Sequence, residues 1–372
     1  MASKLFEPMR IGALDIPNRI VVAPMCQYSA NDGCADPEWH VQHWMNLAMS
    51  GAGLVMVEAT AIDRTGRISH GDLGLYSDAC EAALARGIQA ARRVALPGTR
   101  FGIQIQHAGR KGSAQRPFEG GKALSANEDP WTTVAPSSIP FAPGWHSPAM
   151  LSTANIPALI SRYRDAALRA VRAGIELVEL HAAHGYLMHQ FLSPLANTRE
   201  DDYGGSLANR MRLPLAIAQA LREALPAHVA FGARITGSDW SDHGIVPAEA
   251  VEFARALKAL GADYVCVTSG GIAGGISIPL SPGYQVPFAA QVRKEAGICT
   301  RAVGLIATAE QAEAIVASGQ ADCVALARAF LDNPRWGWHA AQRLHADLAM
   351  PPQYDRVRPA QWPGAALLRP TH

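Results

Sequence analysis

Apolar runs and helical patterns alternate along this chain. The apolar runs are RIVVAP (19–24), GLVMVEAT (53–60), FGIQIQHAG (101–109), IELVELHA (175–182), VAFGARITG (229–237), DYVCVTSGG (263–271), ICTRAVG (298–304) and DCVALAR (322–328). They are β-branched or apolar almost throughout, as strands buried on both faces of a parallel sheet are. Between them lie helix candidates at 37–50, 78–94 and 156–174, then one starting at Ser206, then PAEAVEFARALKALG, VPFAAQVRKEAG, TAEQAEAIVASG and PRWGWHAAQRL. Ser206 is a good N-cap, Gly261, Gly297 and Gly319 sit where helices stop, and Pro214 is expected to kink its helix. Strand then helix, eight times over, predicts an α/β fold: a single (β/α)8 TIM barrel spanning residues 1–372. A doubly wound sheet is the alternative, but eight successive units favour closure.

Two stretches break the rhythm. Residues 109–153, after the third strand, are rich in Pro, Ser, Gly and Trp. Connections of that length are commonly binding loops or lids, and a lid is expected here. Residues 346–372 form a Pro-rich tail expected to wrap the barrel or reach a neighbour.

Composition narrows the function classes. Of 372 residues, 49% are apolar and 17% charged, and the net charge is +1. Basic and acidic residues are interleaved, which leaves no electrostatic footprint for nucleic acid or an anionic membrane. The start MASKLFEPMRIG lacks the apolar stretch of a signal peptide, and no apolar run reaches the roughly 18 residues of a membrane span. Cysteines at 26, 34, 80, 266, 299 and 323 form no CxxC pair, against a zinc ribbon or a four-cysteine iron–sulfur cluster. Free thiols fit a reducing compartment, with the cytoplasm as the expected location.

Barrel enzymes gather their chemistry at the C-terminal strand ends. Gly270, Gly304, Ala327 and Arg328 close the last three strands there. Small residues with open backbone N–H groups beside an arginine suit a phosphate. Arg234 and Gln104 occupy apolar strands. A buried arginine needs an anion: either a barrel carboxylate such as Glu58 or Glu179, or a cofactor that becomes negative, such as a reduced flavin. In VELHAAHGYLMHQFLSP (178–194), His181 and His184 converge only if the strand ends near 181 and the chain turns at Gly185. Three readings stay open for that pair. With His107 it would make a metal-dependent barrel hydrolase; it could be structural, as His189 is expected to be; or it could hydrogen-bond a substrate.

Together these motifs resemble the Old Yellow Enzyme family of FMN-dependent ene-reductases, over nearly the whole chain. The resemblance rests on LFEPMRIGALDIPNRIVVAPMCQYSA, GAGLVMVEATAI, QHAGRKGSAQRP, ELHAAHGYLMHQFLSPLANTREDDYGGSLANRMR, SPGYQVPFAAQVR and ADCVALARAFLDNP. Cys26 and Tyr28 resemble the xenobiotic-reductase, or thermophilic-like, class. The iron–sulfur dienoyl-CoA reductases of the family are longer and carry a cysteine cluster. The resemblance implies FMN as cofactor, with Pro24, Met25, Cys26, Ala59, Gln104 and Arg234 around its ring and Gly270, Gly304, Ala327 and Arg328 at its phosphate. It implies NADPH or NADH as reductant and activated alkenes as substrates. His181 and His184 would hold the substrate carbonyl oxygen, Tyr28 would line the pocket, and Tyr186 would protonate the α-carbon after hydride reaches the β-carbon. No metal is implied. The segment QYDR (353–356) resembles a tail whose arginine, Arg356, enters a neighbouring subunit's site in a homodimer or homotetramer.

Overall fold

The computed structural model describes residues 2–368; residues 369–372 of the expected tail lie outside the described part. Eight parallel strands close into a barrel: β1 Ile20–Val22, β2 Leu54–Ala61, β3 Arg100–Gln106, β4 Leu177–Ala182, β5 Ala230–Thr236, β6 Tyr264–Thr268, β7 Cys299–Ala302 and β8 Cys323–Leu326. Neighbours in sequence are neighbours in the barrel, and β8 pairs with β1 to close it. The helices between them are α1 Trp39–Ala48, α2 Asp78–Val94, α3 Ile156–Arg172, α4 Leu207–Ala224, α5 Pro247–Ala259, α6 Val286–Ala296 and α7 Ala309–Ala317, with α8 Trp336–Arg343 after β8. The expected TIM barrel is therefore the observed fold.

Local chemistry explains the helix boundaries. Ser77, Ser206 and Thr308 each accept a hydrogen bond from a backbone N–H of the first turn that follows. α4 runs from Leu207 to Ala224 with Pro214 inside it, so the proline does not end the helix. Pro214 is buried there, so packing against the rest of the molecule keeps the helix continuous despite the lost N–H.

Two apolar cores follow from the period-two alternation of the strands. Phe101, Ile103, Ile105, Val178, Leu180, Phe231, Ala233, Ile235, Val265 and Val267 pack outward against the helices. Leu54, Met56, Leu177, Ala230, Tyr264, Cys266, Cys323 and Ala325 pack inside the barrel. A hairpin, Met9–Ile11 with Leu14–Ile16, contributes Ile11, Leu14 and Ile16 to that inner core. The alternation also determines which polar residues point inward: Gln104 on β3, Glu179 and His181 on β4, Arg234 on β5 and Arg301 on β7.

Gly232 shows how tightly the interior is packed. A Cβ there would lie 2.2 Å from the Tyr264 ring and 2.6 Å from the Tyr264 carbonyl oxygen. Gly232→Ala is expected to lower the unfolding free energy by about 1–3 kcal/mol through overpacking, read from urea denaturation. An unchanged midpoint would show that the Tyr264 ring has room to move.

Candidate active site

The chain after β4 turns as the histidines require. His184 adopts φ 57° and Gly185 φ 74°. A side chain at Gly185 would place its Cβ 2.0 Å from the Gly271 carbonyl oxygen, so this turn needs glycine. The turn brings the His181 and His184 rings to 5.1 Å between centroids, and the His181 and Tyr186 rings to 4.9 Å, all edge to face. His181 Nδ1 accepts from the Ala183 N–H at 3.2 Å. His184 Nε2 lies 3.0 Å from Thr268 Oγ1, whose hydroxyl donates to Gln285 Oε1 at 2.9 Å.

His189 is structural, as expected: it is buried, pairs with Asp239 at 2.8 Å and accepts from the Gly185 N–H. His107 faces elsewhere. Its Nδ1 accepts from the Gly109 N–H and its Nε2 lies 3.8 Å from Asp63. The hydrolase reading needed His107, His181 and His184 as one ligand set. Among the described residues no such group of three or more His, Cys, Asp or Glu is assembled.

Beside the histidines a cavity of about 600 Å³ opens at the C-terminal mouth of the barrel. Its walls include His184, Arg234, Gly270, Gly304, Ala327 and Arg328. Arg234 makes no hydrogen bond or ion pair among the described residues, and its Nε is buried without a partner. Neither carboxylate considered from the sequence neutralises it. Glu179 accepts from Arg301, and Glu58 accepts from the Gln27 N–H and lies 3.4 Å from His40. A guanidinium that faces a cavity of this size with its buried Nε unpaired suits an anionic cofactor such as FMN, for which Arg234 and Arg328 would be the cationic contacts.

The remaining expected residues divide around this cavity. Ala59 on β2 is level with Gln104 on β3. Pro24, Met25 and Cys26 follow β1 half-buried, and Cys26 shares an apolar cluster with Tyr186 and Trp145. Tyr28 packs edge to face with Phe118 at 6.4 Å. Arg356 is exposed in the turn Pro352–Val357 and does not line the cavity. Sequence reasoning missed Gln285, Tyr284, Lys111 and Trp145. Lys111 Nζ donates to the His184 carbonyl oxygen at 2.8 Å and sits 5.2 Å from the Tyr186 ring centroid. The signals were present in SPGYQVP and QHAGRKG but carried no spacing that assigns a role.

Electrostatics sort the groups. Burial, and next the Arg234 charge, hold His181 and His184 well below the usual imidazole pKa. Burial, and next Cys26, push the Tyr186 phenol well above its usual value. Burial, then Asp72 and Glu58, push the Cys26 thiol up. Burial and then Arg110 bring Lys111 down to about 8. At neutral pH both imidazoles are therefore uncharged and the phenol keeps its proton.

The histidine shifts carry a pH dependence. Below about pH 6.5 the unfolded chain protonates these rings while the native state resists, so their contribution to stability is complete above that pH and is lost as pH falls. The stability difference between wild type and a His181→Asn/His184→Asn variant should shrink in wild type's disfavour from pH 7 to pH 5. A constant difference in thermal denaturation across that window would mean the rings titrate normally.

The same chain organisation occurs in known proteins. The NADH:flavin oxidoreductase / NADH oxidase family profile matches residues 4–347. An NADPH dehydrogenase of Bacillus velezensis is 40% identical over 359 residues, covering 96% of this chain and 100% of its own. One of Listeria innocua is 39% identical, covering 95% and 99%. Among solved structures, morphinone reductase superposes with a TM-score of 0.76 at 29% identity, covering 95% of this chain and 93% of its own. An old yellow enzyme homologue from Zymomonas mobilis gives 0.76 at 26%, covering 93% and 94%. The barrel, the cavity and these matches agree: the chain belongs to the NADH:flavin oxidoreductase / NADH oxidase family, the Old Yellow Enzyme group of oxidoreductases that work with FMN and a nicotinamide.

Proposed function

We propose that this protein is an ene-reductase that saturates the activated double bond of α,β-unsaturated carbonyl compounds. One observation carries the reading: the His181 ring packs against both the His184 and the Tyr186 rings, beside the cavity that His184 and the unpaired Arg234 line. When bound, FMN supplies the hydride. Everything else falls to this chain's side chains.

Arg234 would meet the negative charge that the cofactor gains on reduction, and Arg328 with the backbone of Gly270, Gly304 and Ala327 would hold the phosphate. Ala59, Gln104, Pro24, Met25 and Cys26 would line the ring. His181 keeps its proton on Nε2, because Nδ1 already accepts from Ala183. His184 has Nε2 engaged with Thr268, which leaves Nδ1 for the ligand. To donate from Nδ1, His184 must receive a hydrogen bond at Nε2, so Thr268 turns its hydroxyl proton from Gln285 to the ring. The two donors then stabilise the enolate charge on the substrate oxygen. Tyr186 delivers the proton to the α-carbon.

The 109–153 segment acts as a lid in this reading. Its Trp145 packs in one cluster with Cys26 and Tyr186, and its Phe118 meets Tyr28 edge to face. Such contacts exclude water from the developing charge. Arg356, exposed and without an ion pair among the described residues, would serve a neighbouring copy's site in a homo-oligomer.

Tyr186→Phe should slow alkene reduction about 10²–10⁴-fold while flavin reduction by NADPH proceeds at the wild-type rate in anaerobic stopped flow. Equal slowing of both half-reactions removes Tyr186 as the acid. His181→Ala should weaken binding of a phenolic ligand roughly tenfold with FMN retained. Purified protein that neither carries nor takes up FMN sinks the whole reading.

A further inference from the structure

The barrel interior holds two arginines in one layer and a single carboxylate beneath them. Register places His181, Arg234, Cys266 and Arg301 level with one another across β4 to β7. One layer below, Gln104, Glu179, Gly232 and Tyr264 are level. Glu179 and Arg301 are both fully buried and form an ion pair. The same carboxylate oxygen accepts from the Tyr264 hydroxyl at 2.6 Å, and the other accepts from Gln104 Nε2 at 2.7 Å. The Arg301 guanidinium also sits 4.9 Å from the Tyr264 ring centroid. Gly232 has no side chain, and that gap is what lets the Tyr264 ring lie beside Glu179.

We propose that Arg301 is a positioning residue for the cofactor: by claiming Glu179, it keeps Arg234 uncompensated at the cavity and fixes the Gln104 amide. This rests on FMN occupying the cavity. Without Arg301, the nearest cation to Glu179 in the layer above is Arg234. A Glu179–Arg234 pair would cancel the charge that the reduced ring meets. The Gln104 consequence is stereochemical. A carboxylate only accepts, so the amide must face it with NH2. Its carbonyl oxygen is left as an acceptor with no other partner among the described residues. Burial opposes the Arg301 charge, but Glu179 and Tyr264 outweigh it and hold its pKa above the usual value.

A charge-paired mutant cycle tests this on the midpoint potential of the bound flavin, measured by anaerobic spectrophotometric titration of holoenzyme. Reduction adds negative charge, and charges in a low-dielectric interior act strongly. Glu179→Gln removes an anion and should raise the potential. Arg301→Met removes a cation and releases Glu179 toward Arg234, and should lower it. The Glu179→Gln/Arg301→Met variant should return close to wild type. Loosened packing would shift both single variants in one direction and leave the double variant worst. That pattern, or no shift in either single variant, overturns the proposal. Should Arg301→Met lose its barrel by circular dichroism, the comparison of Glu179→Gln with the double variant still isolates the Arg301 charge, which should lower the potential there too; no drop overturns it. Wild type that fails to bind FMN refutes the ene-reductase reading; wild type that binds FMN with a flat cycle refutes only this inference.

Discussion

Glu179 lies fully buried inside the barrel, its carboxylate shared by Arg301, Tyr264 and Gln104. A buried ion pair seldom adds net stability, because desolvating two charges offsets most of their attraction. Its value here is in allocation. With one carboxylate and two guanidinium groups in adjacent layers, one arginine is left over. The one left is Arg234, which borders the cavity. The interior is thereby neutral at its centre and positive at its mouth, as a site for an anionic cofactor requires.

The same residual charge shapes the donors around it. Arg234 is level with His181 in the strand register and adds to burial in depressing both imidazoles. Protonated rings would compete with Arg234 for any anion and would be held in an already positive mouth. Neutral rings donate hydrogen bonds without that penalty. Lys111, the other cation close by, is clamped on the His184 and Gly271 carbonyl oxygens and is itself brought down toward neutrality. Its bonds tie the segment after β3 to the ends of β4 and β6, so the start of the 109–153 segment and the histidine turn are held by one ammonium group.

Much of this was legible in the sequence because period-two alternation fixes direction as well as strand identity. Once Val178, Leu180 and Ala182 face the helices, Glu179 and His181 must face inward, and the same rule places Gln104 and Arg234. Gly185 marked the turn that lets His181 and His184 meet. The partner of Glu179 was not legible: Arg301 lies 122 residues away, and nothing local to ICTRAVG distinguishes its arginine from one paired to cofactor. Nor was the Thr268–Gln285 link to His184, which depends on how β6 and the start of α6 are brought together. Pro214 does not end α4, because a breaker acts on local hydrogen bonding while the burial of that face of α4 is a tertiary effect.

The titratable groups at the mouth are displaced in opposite directions and arrive at the same state. Burial lowers the imidazoles and raises the Tyr186 phenol and the Cys26 thiol, so none of them carries charge at neutral pH. Arg234 opposes burial at Tyr186, yet burial outweighs it and the phenol remains protonated. Arginine, the side chain most resistant to deprotonation, is the one left charged. The proposed reaction, which creates transient negative charge on an oxygen and then needs a proton, would be served by that division: a permanent cation, neutral donors and an acid that would hold its proton until carbon can take it.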